Sequence, residues 1–509
     1  MPPLPLTGRD LTVADVVEVA RGRRAVELHQ DAIERMRGSR AVIERLVADG
    51  ATVYGVTTGF GDLADVRIDP AQTSELQRNL VRSHAAGVGE PLPAEAVRAM
   101  LLLRANTLAV GLSGVRVELT QLLVDMLNAA VHPVVPSRGS LGASGDLAPL
   151  AHLALVVIGE GEAEVDGAGR GPGSEALARA GLVPIELEAK EGLALLNGTQ
   201  LMAALGALAL HDARRLAAAA DVIGAMSLEA MLGTGAAFAE ALVAARPHAG
   251  QVAVAAHLRA LLAASEIGAS HAGSPHKVQD PYSLRCMPQV HGAVADALGE
   301  LDRVLRVELN AATDNPLVFP SGEVISGGNF HGEPLALALD YATIAVAELA
   351  SISERRTSRM MDAHLSGLPP FLATRPGLES GLMIAHYTAA SLVNELQTLA
   401  HPASVDTIPT SANQEDHVSM GATAALHVRE AIDRAEAVLA IELLCAGQGI
   451  DFRAPLRPGA GVAAAHALLR SRVTHLEADR SPAPDIAEAR ALIASAELTA
   501  AADGAAAHA

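Results

Sequence analysis

Apolar and small residues recur at helical spacing along this chain over stretches far longer than an ordinary helix. Residues 335–365 contain neither Gly nor Pro and predict one helix of roughly 45 Å. Residues 422–446 are also free of breakers, with Val428, Ile432, Ala435, Leu439 and Leu443 on a single stripe. Residues 200–230 and 287–310 supply two more long helices. Stripes of this kind are core, and small side chains facing one another let long helices pack as a bundle. Before residue 195 the pattern is broken into short helices and glycine-bearing loops. The segment Tyr54-Gly55-Val56-Thr57-Thr58-Gly59-Phe60-Gly61-Asp62 is too glycine-rich for a helix. Small hairpins are expected within 159–174 and at 317–325. From about residue 451 regularity is lost around Pro455 and Pro458. It returns as helix near 463–476, and the chain ends in an Ala-rich segment with little apolar bulk to pack. The expectation is a mainly α fold with a long central helical bundle and a loop-rich N-terminal portion that carries the active-site loops. Its parts are residues 1–195, 196–450 and 451–509, with no solenoid repeat.

Composition agrees with long helices. Of 509 residues, 50% are hydrophobic but only 2% aromatic, so Ala and Leu make the core. A formal net charge of −20 argues against nucleic acid and anionic membrane surfaces as partners. Two cysteines, Cys286 and Cys445, give no disulfide framework. Met1-Pro2-Pro3-Leu4-Pro5-Leu6 has neither the charged nor the apolar region of a secretory signal, and no uncharged apolar run is long enough to span a bilayer. A soluble, cytoplasmic protein is expected.

Several chemistries are absent from the sequence: there is no phosphate-binding Gly-rich loop with its Lys, no zinc helix of the His-Glu-x-x-His type and no Gly-x-Ser-x-Gly elbow. Nineteen histidines are present, but His331, His386 and His417 lack ligand partners at diagnostic spacing, so no metal site is expected. More informative is Ala143-Ser144-Gly145, within Gly139-Ser140-Leu141-Gly142-Ala143-Ser144-Gly145-Asp146-Leu147-Ala148-Pro149-Leu150-Ala151-His152. If the Gly145 nitrogen attacks the Ala143 carbonyl carbon, a five-membered ring closes across Ser144. Loss of two waters, one carrying the Ser144 hydroxyl, leaves a methylidene conjugated to an imidazolone. Gly145 permits the close approach, Ala143 crowds the ring least, and Ser144 provides the leaving group. The same tripeptide also reads as a turn feeding a helix from Leu147, with Asp146 as its N-cap.

Other polar segments stand out in a sparsely polar chain. Tyr54, at the start of the triple-glycine loop, reads as a hinge tyrosine or as a base. In Gln279-Asp280-Pro281-Tyr282-Ser283-Leu284-Arg285-Cys286, Arg285 suits either a substrate carboxylate or an ion pair with Asp280. Asn197 is a helix cap or an amide aimed at a ligand. Gly327-Gly328-Asn329-Phe330-His331-Gly332 is shaped for close backbone approach. Asn413-Gln414-Glu415-Asp416-His417 is a polar knot ahead of an apolar helix, and a capped helix end explains it equally well.

Together these segments resemble the aromatic amino acid ammonia-lyases in order and approximate spacing, from Tyr54 to about Arg453. The fourteen residues around Ser144 match that family's signature almost residue for residue. Leu80-Val81-Arg82-Ser83-His84-Ala85-Ala86-Gly87 and Asn413-Gln414-Glu415-Asp416 resemble the histidine-specific branch. The resemblance implies a homotetramer with active sites shared among subunits. It also implies a 4-methylidene-imidazol-5-one (MIO) group made autocatalytically from Ala143, Ser144 and Gly145. The implied reaction converts L-histidine to trans-urocanate and ammonia, the first step of histidine breakdown. By the same resemblance Tyr54 removes the β-proton, Arg285 holds the carboxylate, and Asn197, Gln279 and Tyr282 bond the prosthetic group or substrate. Phe330 packs near the ring, while His84 and Glu415 read the imidazole. A tyrosine or phenylalanine lyase, an aminomutase and a non-catalytic helical scaffold are the alternatives.

Overall fold

The long apolar stretches form helices where the pattern places them: Gln200–Ala230, Met287–Glu308, Glu333–Met361 and Gly421–Asp451. A computed structural model describes residues 1–53, 58, 72–167, 169–273 and 278–509. Among these the fold is mainly α, as expected, and its strands are short. Both predicted hairpins are present as antiparallel pairs, Glu162–Val165 with Gly169–Pro172 and Leu317–Val318 with Val324–Ile325.

Two expectations are corrected. The helix expected over 335–365 stops at Met361, because Asp362 is extended (φ −97°, ψ 114°) and its carboxylate caps the N–H groups of His364 and Leu365. That cap starts a separate turn, Ala363–Ser366, which Gly367 ends at φ +67°. The Ala-rich end does pack. Helices Ala483–Ala494 and Glu497–Ala506 bury Leu492, Ile493, Leu498 and Ala502. Glu333–Met361 is long and apolar enough to cross a membrane, yet 72% of its most apolar window is buried. It also carries Asp340 and Glu348, so we read it as a core helix.

The chain divides into two units, and the four long helices each contribute residues to both. The first comprises residues 1–211, 301–340 and 402–426. Its helix Ala94–Ala109 is buried along nearly its whole length. At Gly206 a Cβ would stand 3.2 Å from Leu339 and 3.4 Å from Leu305, so a small residue there permits close helix approach.

The second unit comprises residues 212–300, 341–401 and 427–509. It holds a fully buried ion pair, with Arg356 Nη2 2.9 Å from Glu442 Oε2 and both side chains 0% exposed. Ser227 Oγ also donates to Glu442 at 2.6 Å. Glu229, on the Gln200–Ala230 helix, is buried and accepts from the Gly459 N–H and the Ser265 hydroxyl. Burial pushes its carboxyl up to about 7.

Replacing Glu442 by Leu leaves the Arg356 charge buried and unpaired, and should destabilise the second unit by about 3–5 kcal/mol. The double variant Arg356→Met/Glu442→Leu should be less destabilised than this single variant, as urea unfolding would measure. A double variant at least as unstable would show that the pair is net stabilising. Glu229 generates a pH-dependent prediction. With its carboxyl raised above the unfolded value, the folded state holds a proton that the unfolded chain has released. This contribution to stability therefore falls as pH rises from about 4.5 to about 7. Glu229→Gln should flatten that part of the stability–pH curve, and an unchanged slope would rule the group out as its source.

Candidate active site

The site grows from the start of one helix. Leu147–Val157 begins where expected, with Asp146 at its N-cap position, but the Asp146 side chain makes no bond to that helix. Its carboxylate instead accepts from the N–H groups of Leu201 (2.9 Å) and Met202 (3.1 Å), and so caps the Gln200–Ala230 helix from a distant part of the sequence. Ser140 Oγ donates to it at 2.9 Å. Burial raises this carboxyl to about 7.

The residues just before it are held equally closely. Asp146 N–H donates to the Gly198 carbonyl at 2.7 Å, and Gly145 bridges Gly198 as a paired strand would. Gly145 lies at φ +76°, and a Cβ there would stand 2.2 Å from the Gly198 oxygen, so only glycine fits. The bridge engages the N–H of Asp146 and leaves the Gly145 N–H with no hydrogen bond among the described residues. Upstream, the Gly142 carbonyl accepts from Ser419 Oγ at 3.1 Å, and the Leu141 carbonyl accepts from the Met420 N–H at 2.8 Å.

Ala143, Ser144, Asn197, Phe330 and Glu415 line one cavity of about 480 Å³ in the first unit. Ser144 Oγ donates to Glu415 Oε1 at 3.0 Å, and Thr410 Oγ1 donates to Glu415 Oε2 at 2.8 Å. Backbone bonds between Thr410 and Glu415 close the turn that presents this carboxylate. Asn197 is buried, and its Oδ1 has no partner among the described residues. His331 and His417 also line the cavity, with rings parallel to within 1° and centroids 5.9 Å apart. His331 Nδ1 accepts from the Glu333 N–H (3.3 Å), so Nε2 carries the proton donated to the His417 carbonyl (3.2 Å). His331 thereby links the 326–332 loop to the 411–420 loop.

His84 ends the helix Thr73–His84 and is not among the lining residues. Its Nδ1 donates to the Leu80 carbonyl at 2.9 Å, which leaves Nε2 as an acceptor. Burial lowers its pKa, while the Leu80 bond and the Glu415 charge act in the opposite sense.

Gln279, Tyr282 and Arg285 belong to the second unit and do not line this cavity. Tyr282 is 70% exposed and opens the short helix Tyr282–Arg285. Asp280 accepts from the Thr234 N–H at 2.7 Å, and the Arg285 guanidinium lies 4.6 Å from the centre of the Tyr282 ring. The alternative ion pair between Asp280 and Arg285 is not formed, and Arg285 Nε is buried without a partner among the described residues. Tyr54 lies outside the described residues, as does most of its loop. Among the described residues, no cluster of His, Cys, Asp and Glu could hold a metal ion.

Sequence reasoning missed Thr410, which holds the Glu415 carboxylate, and Asn315, which lines the cavity. Only the polar run Thr313-Asp314-Asn315 beside a proline hinted at the latter.

Known proteins are similar to this chain over nearly its whole length. A histidine ammonia-lyase from Anaeromyxobacter sp. (strain K) is 58% identical over 501 residues, covering 97% of this chain and 99% of that protein. The crystal structure of histidine ammonia-lyase from Trypanosoma cruzi superposes with a TM-score of 0.92 at 44% identity, covering 99% of this chain and 95% of that one. Tyrosine aminomutase from Streptomyces globisporus superposes with a TM-score of 0.93 at 38% identity, covering 99% of each chain. The aromatic amino acid lyase family model matches residues 11–471, and the chain belongs to that family.

Proposed function

We propose that this enzyme is an ammonia-lyase that eliminates ammonia from L-histidine to give trans-urocanate, using an MIO group formed from Ala143, Ser144 and Gly145. The observation that carries the reading is the Glu415 carboxylate, held 3.0 Å from Ser144 in a shared cavity. A carboxylate beside the reacting position suits a ring with nitrogens to pair with it. Against phenyl it would be left unpaired, at a cost of several kcal/mol.

The residues fit the prosthetic group. The Gly145 nitrogen, the nucleophile of ring closure, has no competing hydrogen bond among the described residues, and its positive φ bends the chain back on itself. The orphaned Asn197 Oδ1 in the same cavity is an acceptor without a donor, as a site for an amine requires. Once formed, the group supplies an electrophilic carbon that helps the amine to leave.

The chain's own residues then do the rest. Asn197 accepts a hydrogen bond from the substrate's ammonium. Phe330 flanks the imidazole, and Glu415 with His84 pairs its nitrogens, His84 through its free Nε2. Tyr54 takes the β-proton, Arg285 holds the carboxylate, and Gln279 and Tyr282 orient the polar atoms around the reacting carbon. These four residues meet the Ser144 cavity in a homotetramer whose sites draw on more than one subunit. The enzyme works in the cytoplasm, with no metal.

Ser144→Ala, which has no hydroxyl to lose, should lower activity about a thousandfold or more, equivalent to roughly 4 kcal/mol of barrier. It should also lose the near-ultraviolet absorbance of the conjugated ring, which is readily seen in a chain with no Trp and four Tyr. Near-normal turnover by this variant would end the reading. Glu415→Ala should reduce kcat/KM for histidine by about a hundredfold or more while narrowing the preference for histidine over phenylalanine. An unchanged preference would mean that Glu415 only closes its turn and that the ring is read elsewhere.

A further inference from the structure

Arg104, on the helix Ala94–Ala109, is 0% exposed and lies next to the reaction centre in the hydrogen-bond network. Its Nη1 donates to the Asn197 carbonyl at 2.8 Å and to Gln200 Oε1 at 2.9 Å. Gln200 Nε2 in turn donates to Thr313 Oγ1 at 2.9 Å and Thr107 Oγ1 at 3.1 Å. The Asn197–Gly198 turn rests directly on this assembly. A Cβ on Gly198 would stand 2.4 Å from Gln200 Oε1 and 2.6 Å from Arg104 Nη1. The same turn projects the Asn197 side chain into the cavity and offers the Gly198 carbonyl to Asp146.

Stability alone does not account for this arginine. Its Nε and Nη2 are buried without partners among the described residues, although Asp314 partly offsets its charge. A buried guanidinium satisfied at one nitrogen of three is costly, and an apolar side chain of similar volume would cost the fold less. What the guanidinium supplies is a planar, rigid group whose single Nη1 ties the Asn197 carbonyl to Gln200 Oε1. We propose that Arg104 is a positioning residue for the reaction. It holds the Asn197–Gly198 peptide so that the Gly198 carbonyl holds the Gly145–Asp146 segment for ring closure and the Asn197 carboxamide faces the substrate. The proposal rests on the MIO-dependent reading above.

The test compares wild type with Arg104→Lys and Arg104→Met as purified full-length oligomers. Intact mass reports the fraction of chains that have lost two water molecules, circular dichroism and thermal unfolding report the fold, and kcat and KM for histidine are taken per dehydrated chain. Both variants should keep the wild-type helical signal. Their dehydrated fraction should fall severalfold, and kcat per dehydrated chain should drop about tenfold or more, the scale expected for a misplaced reacting group. KM should change less. Lys keeps the charge on a flexible stem without the planar guanidinium, so it should not rescue either readout. Full dehydration with kcat within about twofold of wild type, whatever the melting temperature, would leave Arg104 a purely structural residue and overturn the proposal. If neither variant folds, Gln200→Met removes the second acceptor, and normal dehydration and kcat there would overturn the proposal equally. Wild-type protein that lacks the mass loss would instead overturn the MIO reading, and this proposal with it.

Discussion

The site depends on one buried carboxylate. A helix of 31 residues starts at Gln200 with N–H groups that have no partner in their own helix, and Asp146 supplies the acceptor from more than fifty residues away. Burying that carboxyl has a cost, visible as a pKa raised to about 7. In return, the start of a short helix is locked to the start of a long one, and the tripeptide before Asp146 has no freedom to drift. The Gly145–Gly198 contact accompanies this: a Cβ on Gly145 would run into the Gly198 backbone, and one on Gly198 into Gln200 and Arg104.

The cavity shows the same economy of polar groups. Glu415 is held at one oxygen by Thr410 and at the other by Ser144, the side chain expected to change chemically. In the function proposed above, recognition and reaction share this one carboxylate. The stacked His331 and His417 tie together the two loops that frame it. Such a frame limits the rotamers open to Glu415, as the proposed pairing of a fixed charge with the substrate ring requires.

The helices were legible because long stretches keep their apolar period, and 335–361 and 422–446 also lack Gly and Pro. Where the reading failed, the cause was nonlocal or subtle. Asp362 ends a helix without Gly or Pro, because its side chain offers the following N–H groups a better partner. The final helices pack although they are Ala-rich, since Leu492, Ile493 and Leu498 are enough when small residues let backbones approach. Within the site, Ala143, Ser144, Gly145, Asn197, Phe330 and Glu415 could be singled out by residue type, and five of the six line one cavity. Arg104 and Thr410 could not, because each matters only through what the fold sets beside it. Gln279, Tyr282 and Arg285 were equally conspicuous in sequence, yet they lie in the other unit.

The bonds that hold the loop before Ser144 also set an order on biosynthesis. Leu141 is tied by Met420, Gly142 by Ser419, and Ser144 faces Glu415, so the partners of the reactive tripeptide emerge from the ribosome nearly three hundred residues after it. A nascent chain that has reached only the middle of its length has the Gly198, Leu201 and Met202 contacts but lacks those from Glu415, Ser419 and Met420. On the proposed reading, the ring closes only once residues 415–420 have been made and folded onto the loop. A chain arrested before them would carry an ordinary serine, and the cell would be spared an unshielded alkylating group on an incomplete protein.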